Sequence, residues 1–221
     1  MNPSMTFIPG WGFKESVWQN LADYLSVGWA KRSVPTTPPG GHAALSPPYN
    51  ALIAWSFGGL EAIQHCATHP THFTHLILIA STPRFMRDEN WEGLSEQQAV
   101  KQLAAAEQDM PRYLQQFLRL ATHPQKLFKE QIDAHMVNRE EPFLLPQLRM
   151  LFTADLRDKF TNLTLPILQI ISENDLVTRP QQSLQCSSLR PHQHRVIPNA
   201  GHMALYTHPE EVANHIQDFL C

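Results

Sequence analysis

Ala54-Trp55-Ser56-Phe57-Gly58-Gly59 places a serine between a continuous apolar run, Ala51 to Trp55, and a stretch of good helix formers, Leu60 to Ala67. The pattern matches G-x-S-x-G, a sharp strand-to-helix turn that presents a nucleophilic hydroxyl, with Ala54 in place of the first glycine. Such a turn strains the serine backbone and brings the positions two before and two after it close together. Both must be small, and Ala54 and Gly58 are. The next N–H, that of Phe57, falls at a helix N-terminus, where developing negative charge is stabilised. The plain alternative is an ordinary strand-turn-helix in which Ser56 is only an N-cap.

A hydroxyl is a weak nucleophile, so it needs a histidine base and a carboxylate to orient that base; behind this turn they follow in the order Ser, Asp, His. Asp175 lies in Ser172-Glu173-Asn174-Asp175, beyond the apolar run Pro166 to Ile171, and His202 lies in Asn199-Ala200-Gly201-His202, beyond the run at Arg195-Val196-Ile197. Each residue thus sits past the carboxyl end of an expected strand. Asp155 and Asp158 are alternative acids but precede the strand that carries Asp175, and His208 is an alternative base. Taken singly, Asp175 reads as a turn former and either histidine as a loop residue. A second oxyanion donor is expected from the loop after an early strand, where Pro9-Gly10-Trp11-Gly12 offers the Trp11 N–H; a simple turn is the other reading.

Composition excludes several other chemistries. The 221 residues are 43% hydrophobic and 17% charged with a formal charge of −3, the balance of one compact domain with no general attraction for nucleic acid or anionic membrane. No apolar run approaches a membrane span, and the first residues lack a signal-peptide pattern, so a cytoplasmic location is expected. The three cysteines, Cys66, Cys186 and Cys221, form no C-x-x-C pair, which fits a reducing compartment and no disulfide framework. Twelve histidines are unusual, and His65, His69, His72 and His75 crowd one stretch. His65 and His69 could share a helix face, but Pro70 should end that helix and no H-E-x-x-H pattern is present. Solvated or capping histidines are the expectation, with no metal and no organic cofactor.

The positioning elements read as α/β. A strand at Met5 to Ile8 precedes a helix with Val17, Leu21 and Leu25 at four-residue steps and Ser16 as N-cap. Seven prolines and glycines between Val34 and Tyr49 exclude a long helix there. Strands Ala51 to Trp55 and Leu76 to Ala80 flank a helix, the crossover unit of a parallel sheet. From Pro83 to Phe152 the pattern turns helical, with Tyr113, Phe117 and Leu120 on one face and Arg112, Gln116 and Arg119 on another. The expected organisation is a core, 1–82 and 153–221, split by a helical cap or lid at 83–152.

These pieces resemble the α/β-hydrolase superfamily and, within it, the group of pimeloyl-[acyl-carrier protein] methyl ester esterases of biotin synthesis. The resemblance runs from Pro9-Gly10-Trp11-Gly12 through Trp55-Ser56-Phe57-Gly58-Gly59, Ala80-Ser81-Thr82-Pro83-Arg84-Phe85 and Asp155-Leu156-Arg157 to Asp175-Leu176-Val177 and Gly201-His202. It implies a mostly parallel sheet flanked by helices, shortened at its N-terminal side, with the inserted cap. Pro9 stands where the family usually has histidine. The implied activity is a monomeric serine carboxylesterase with Ser56, Asp175 and His202 catalytic and Trp11 and Phe57 N–H groups as oxyanion hole. The implied partner is an acyl-carrier protein bearing the ester. A general short-chain esterase or lipase, or a non-catalytic binding protein on the same fold, remains the alternative.

Charge along the cap bears on that partner. Asp88 to Met110 carries six acids (Asp88, Glu89, Glu92, Glu96, Glu107 and Asp109) against Lys101, whereas Pro111 to Arg139 carries Arg112, Arg119, Lys126, Lys129 and Arg139 against Glu130 and Asp133. An acidic carrier would be drawn to the second half and repelled by the first. Solvated helix faces that pair with one another are the bland alternative.

Overall fold

The computed structural model describes residues 4–32, 50–125, 127 and 129–221. The breaker-rich stretch between Val34 and Tyr49 therefore falls wholly outside the described residues. Among the described residues five parallel strands in the order β1-β2-β3-β4-β5 form one sheet: β1 Ser4–Ile8, β2 Asn50–Trp55, β3 His75–Ile79, β4 Ile167–Ser172 and β5 Gln193–Ile197. The inner strands are buried on both faces, which is why they read as unbroken apolar runs. Ala51, Ile53, Trp55, Ile77, Ile79, Leu168 and Ile170 point to one core. Leu52, Ala54, Leu76, Leu78 and Ile167 point to the other. This alternation is the two-residue period of a strand at work. Edge strand β5 is mostly exposed and carries Gln193, His194 and Arg195, polar groups that discourage further strand pairing.

Helix α1 (Gln19–Arg32) packs on the first face with α10 (Pro209–Leu220), which follows the short α9 (Ala204–Thr207), and α2 (Gly58–Thr68), α7 (Arg157–Thr161) and α8 (Pro180–Leu189) line the second. Entry into α1 differs from expectation. A 3-10 turn, Glu15–Trp18, starts after Lys14, and Ser16 lies inside it with its hydroxyl 3.0 Å from His135 Nδ1 rather than capping the helix.

Between β3 and β4 come α3 (Glu96–Gln108), α4 (Met110–Thr122), α5 (Lys129–Asp133) and α6 (Leu144–Thr153). Ser95 and Gln98 close a capping box on α3, and the Asp109 carboxylate accepts from the Arg112 N–H at the start of α4. The inward face of α4 carries Tyr113, Leu114 and Ala121, with Phe117 and Leu118 partly buried. Leu120, expected beside Tyr113 and Phe117, is 48% exposed instead. Seven positions on from Tyr113, its direction has drifted away from the buried stripe set by Leu114, Leu118 and Ala121.

These helices sit directly on the loop after β1. Lys14 N–H donates to the His135 carbonyl, Val137 N–H donates to that of Gly12, and Trp11 Nε1–H donates to that of Leu144 at 2.9 Å. Leu114, Ile132, Leu144 and Phe152 share one apolar cluster with Trp11, Phe13 and the first sheet face.

Candidate active site

Ser56 follows the last residue of β2 and has φ 54°, the left-handed region that costs a non-glycine residue of order 1–3 kcal/mol. The surrounding bonds hold it there. Its N–H donates to the Ile79 carbonyl of β3 at 3.0 Å, its carbonyl accepts from Gly59 N–H at 2.9 Å, and the Ser81 hydroxyl donates to that same carbonyl at 2.7 Å. Ser81 is fixed in turn, because the buried Gln169 side chain donates to its carbonyl at 2.9 Å. The need for a small residue at Gly58 has a different origin from the one expected. A Cβ there would lie 2.5 Å from the Pro9 carbonyl oxygen and 2.7 Å from that of Ile8, so it is the end of β1, rather than Ala54, that crowds it.

That crowding has a consequence for Trp11. The loop after β1, which carries Trp11, lies backbone to backbone against the first turn of α2, which follows Phe57. Among the described residues neither the Trp11 nor the Phe57 N–H donates to a protein acceptor. Phe57 is the N-cap of α2, so the helix dipole adds to its donor character.

Asp175 lies in the turn beyond β4 and is 2% exposed. Its Oδ1 accepts from Val177 N–H at 2.7 Å and Thr178 N–H at 2.9 Å, which leaves Oδ2 aimed at His202 Nδ1, 2.8 Å away. Two backbone N–H groups already donate to this carboxylate, and as an acceptor towards His202 it favours the tautomer with the imidazole proton on Nδ1. The Nε2 lone pair then faces Ser56 Oγ at 2.8 Å. Ser56 is 3% exposed and His202 is fully buried, with the Trp55 and Phe117 rings beside its imidazole at centroid distances of 5.4 and 6.3 Å.

The two loops that carry the acid and the histidine are tied to each other. Glu173 N–H donates to the Ile197 carbonyl, Asn174 N–H to that of Ala200 and Asn199 N–H to the Glu173 carboxylate. Trp55 Nε1–H donates to the His202 carbonyl at 2.9 Å, linking the histidine to the serine's own strand. At Gly201 any Cβ would collide with the His123 carbonyl oxygen, so the helical segment presses on this loop as well.

The alternative residues lie elsewhere. Asp155 pairs with Arg84 and Arg157, and the Arg157 hydrogen bond holds its carboxyl down at about 2. Asp158 is near the surface in the first turn of α7, and His208 caps α10 with its Nδ1 2.8 Å from the Thr207 hydroxyl.

Of the basic residues singled out between Pro111 and Arg139, Arg112 and Arg119 are exposed on α4. Arg139 bonds Asp133 at 2.6 Å, and with Arg119 it lines a groove of about 320 Å³ floored by Leu118 and Ile132. Lys129 begins α5, and Lys126 lies outside the described residues. In the acidic half several charges are matched: Asp88 faces Arg84 and Arg157, and Glu107 pairs with Arg149.

Sequence reasoning missed Ser81, Gln169, Trp55 and Phe117 as supports of the site. Ser81 had a signal, since it stands just past the carboxyl end of the strand beside the serine's own. Phe117 had none beyond its apolar face. The four histidines set aside as solvated are partly brought together: His65, His69 and His72 share one cluster, while the His75 ring packs edge-on to Phe219 at 5.4 Å.

Comparison with known proteins agrees with this architecture. The family described as alpha/beta hydrolase fold matches residues 42–209. A curated relative from Stenotrophomonas maltophilia (strain K279a), pimeloyl-[acyl-carrier protein] methyl ester esterase, is 31% identical over 99% of this chain and 93% of its own. The protein of that name from Aliivibrio salmonicida (strain LFI1238) is 25% identical over 98% of this chain and 91% of its own. Among solved structures, a bromoperoxidase from Bacillus anthracis superposes with a TM-score of 0.79 at 16% identity, covering 100% of this chain and 92% of its own. An esterase from Exiguobacterium antarcticum superposes with a TM-score of 0.75 at 16% identity, covering 100% and 92%. At those identities the superpositions speak for the fold alone, whereas the sequence match spans most of the chain. The chain belongs to the alpha/beta hydrolase fold family.

Proposed function

We propose that this carboxylic ester hydrolase is a serine esterase that cleaves the methyl ester of pimeloyl-acyl-carrier protein in biotin synthesis. The observation that carries the reading is the relay of two 2.8 Å contacts from Asp175 through His202 to Ser56. Ser56 Oγ attacks the ester carbon as its proton passes to His202 Nε2, and the tetrahedral oxyanion is held by the Trp11 and Phe57 N–H groups. The carbon–methoxy bond then breaks, the proton moves from Nε2 to the departing oxygen, and methanol leaves an acyl-Ser56 ester. Water, deprotonated by Nε2, attacks that ester; the acid is released and Ser56 regains its proton. Asp175 keeps the imidazole in the required tautomer throughout, and no cofactor enters the cycle.

The substrate part of the reading is supported by the names of the curated relatives and by the exposed arginines of α4. In this reading residues 83–152 are a cap on a core formed by 1–82 and 153–221, and its Phe117 roofs His202 with an apolar surface suited to an acyl chain. Arg112, Arg119, Lys126, Lys129 and Arg139 meet the acidic carrier, with Arg139 contributing least because Asp133 already takes up its charge. The described helices include none long and apolar enough to cross a membrane. Cys66 and Cys186 are buried free thiols. A cytoplasmic monomer is the setting we assign.

The test compares hydrolysis of pimeloyl methyl ester on carrier protein with that of a free short-chain ester, in wild type and in the Arg112→Glu, Arg119→Glu double variant. Preference of wild type for the carrier-bound ester, and loss of that preference in the double variant with free-ester turnover intact, is expected. Equal slowing of both substrates, or no preference in wild type, would leave a general esterase.

A further inference from the structure

Helix α2 begins at the strained serine and ends in histidines. His65 lies in its last turn and His69 is its C-cap, so the two share one face at the four-residue spacing. Pro70 stops the helix, and the turn that follows sends the chain back: His72 N–H donates to the His69 carbonyl at 3.1 Å. The Asn50 side chain at the start of β2 donates to the His72 carbonyl at 2.6 Å. The proline that spoils a helical motif in the sequence is thus what brings the third imidazole round. His65 Nε2 and His72 Nδ1 are 3.2 Å apart, the rings of His69 and His65 stack at 4.6 Å, and those of His69 and His72 stack at 4.8 Å. One ligand nitrogen from each of the three lies within 4.8 Å of the others.

We propose that His65, His69 and His72 form a binding site for a divalent transition cation of the zinc class, which clamps the end of α2 to the turn leading into β3.

Two features support it. Tetrahedral zinc with nitrogen ligands at about 2.0–2.1 Å sets ligand nitrogens about 3.3 Å apart, close to the separation between His65 and His72 already present. The other pairs need only rotation of half-buried or exposed side chains. Next, Thr68 Oγ lies 2.9 Å from His69 Nδ1. Accepting a proton there would hold His69 in the tautomer that leaves Nε2 free, the usual outer support of a metal-bound imidazole. In the apo state one of His65 and His72 donates to the other; cation binding moves that proton to the donor's remote ring nitrogen, so neutral ligands stay neutral. With water completing the coordination sphere, three histidines suit zinc, cobalt or nickel better than calcium or magnesium, which take oxygen ligands.

The site is separate from the serine relay, at the opposite end of an 11-residue helix, roughly 15 Å away at 1.5 Å per residue. Its expected effect is therefore on stability, through preferential binding to the folded chain.

Calorimetric titration of chelator-treated wild type with zinc alone should give one equivalent bound. The His69→Gln, His72→Gln variant, altered only at exposed positions, should bind at least about tenfold more weakly. Zinc should raise the thermal midpoint of wild type and leave the variant's unmoved, while metal-free ester turnover stays equal in the two. The single substitutions serve if the double variant folds poorly, as judged by circular dichroism. No binding to wild type up to about 1 mM zinc, weaker than any useful affinity, or equal binding by wild type and variant, overturns the proposal.

Discussion

The two ends of α2 both gather histidine chemistry, and they do so by opposite means. At the N-terminal end one imidazole is fully buried, its two nitrogens are engaged by different partners, and each partner is braced by further bonds. At the C-terminal end three imidazoles lie at or near the surface and face one another. Burial with an asymmetric pair of partners fixes one tautomer and so gives a direction for proton movement. Exposure with like partners gives exchangeable tautomers, suited to sharing a cation. A histidine's chemistry is set by what stands on each side of its ring more than by its being histidine.

Breaking the asymmetry at the buried end should have the largest effect. In Asp175→Asn the amide would turn its NH2 or its carbonyl to His202, and the first choice reverses the tautomer and removes the base from Ser56. The expected loss in kcat is about 10³–10⁴-fold, with KM nearly unchanged. Steady-state kinetics on an activated ester checks it, and a drop below tenfold would mean that Asp175 does not orient the base.

Next comes the bracing behind the serine. Ser81→Ala removes the donor to the Ser56 carbonyl and leaves that oxygen buried with one partner fewer. The expected cost is about 1–3 kcal/mol of stability in denaturant unfolding, together with lower kcat, because the left-handed turn loses a support. Unchanged stability and kcat would show that β3 and α2 hold the turn without Ser81.

How much of this contrast the sequence exposed depends on range. Ser56 and Asp175 were legible because each follows an apolar run of strand length, His202 because it follows the short pair Val196-Ile197, and parallel strands collect such residues at one edge. The fold was legible for the same reason: strands buried on both faces leave no polar alternation to confuse the reading. The support from Ser81 and Gln169 depends on the register between β3 and β4, which no single segment specifies. Leu120 escaped because a stripe on a helix drifts, and Ser16 because a 3-10 turn displaced the start of α1. The histidine cluster was hidden by its own proline. Reading Pro70 as an end to the helix is correct, but only the path of the turn shows that the end folds His72 back.

The surface ion pairs set the lower end of the scale. Asp155, between Arg84 and Arg157, has its carboxyl held at about 2 against an ordinary 3.8, chiefly by the Arg157 hydrogen bond. A depressed carboxyl stabilises the fold above its unfolded value, and that contribution is lost as pH falls through the folded value. Asp155→Asn should therefore cost about 1 kcal/mol at neutral pH, after allowance for solvent screening of a partly exposed pair. The gap between variant and wild type should narrow as pH drops from about 4 towards 2, with turnover at neutral pH hardly altered. A gap that persists at the lowest pH would assign the cost to packing instead of charge.

The central claim is that the buried end of α2 carries an activated nucleophile, and covalent labelling tests it most directly. Wild type treated with a fluorophosphonate, digested and mapped by mass spectrometry should carry the label on the peptide containing Ser56. Ser56→Ala should fold normally, take up no label and lose at least about 10⁴-fold in ester turnover. A folded wild-type protein that stays unlabelled, or a label found on another residue in both proteins, would contradict the account.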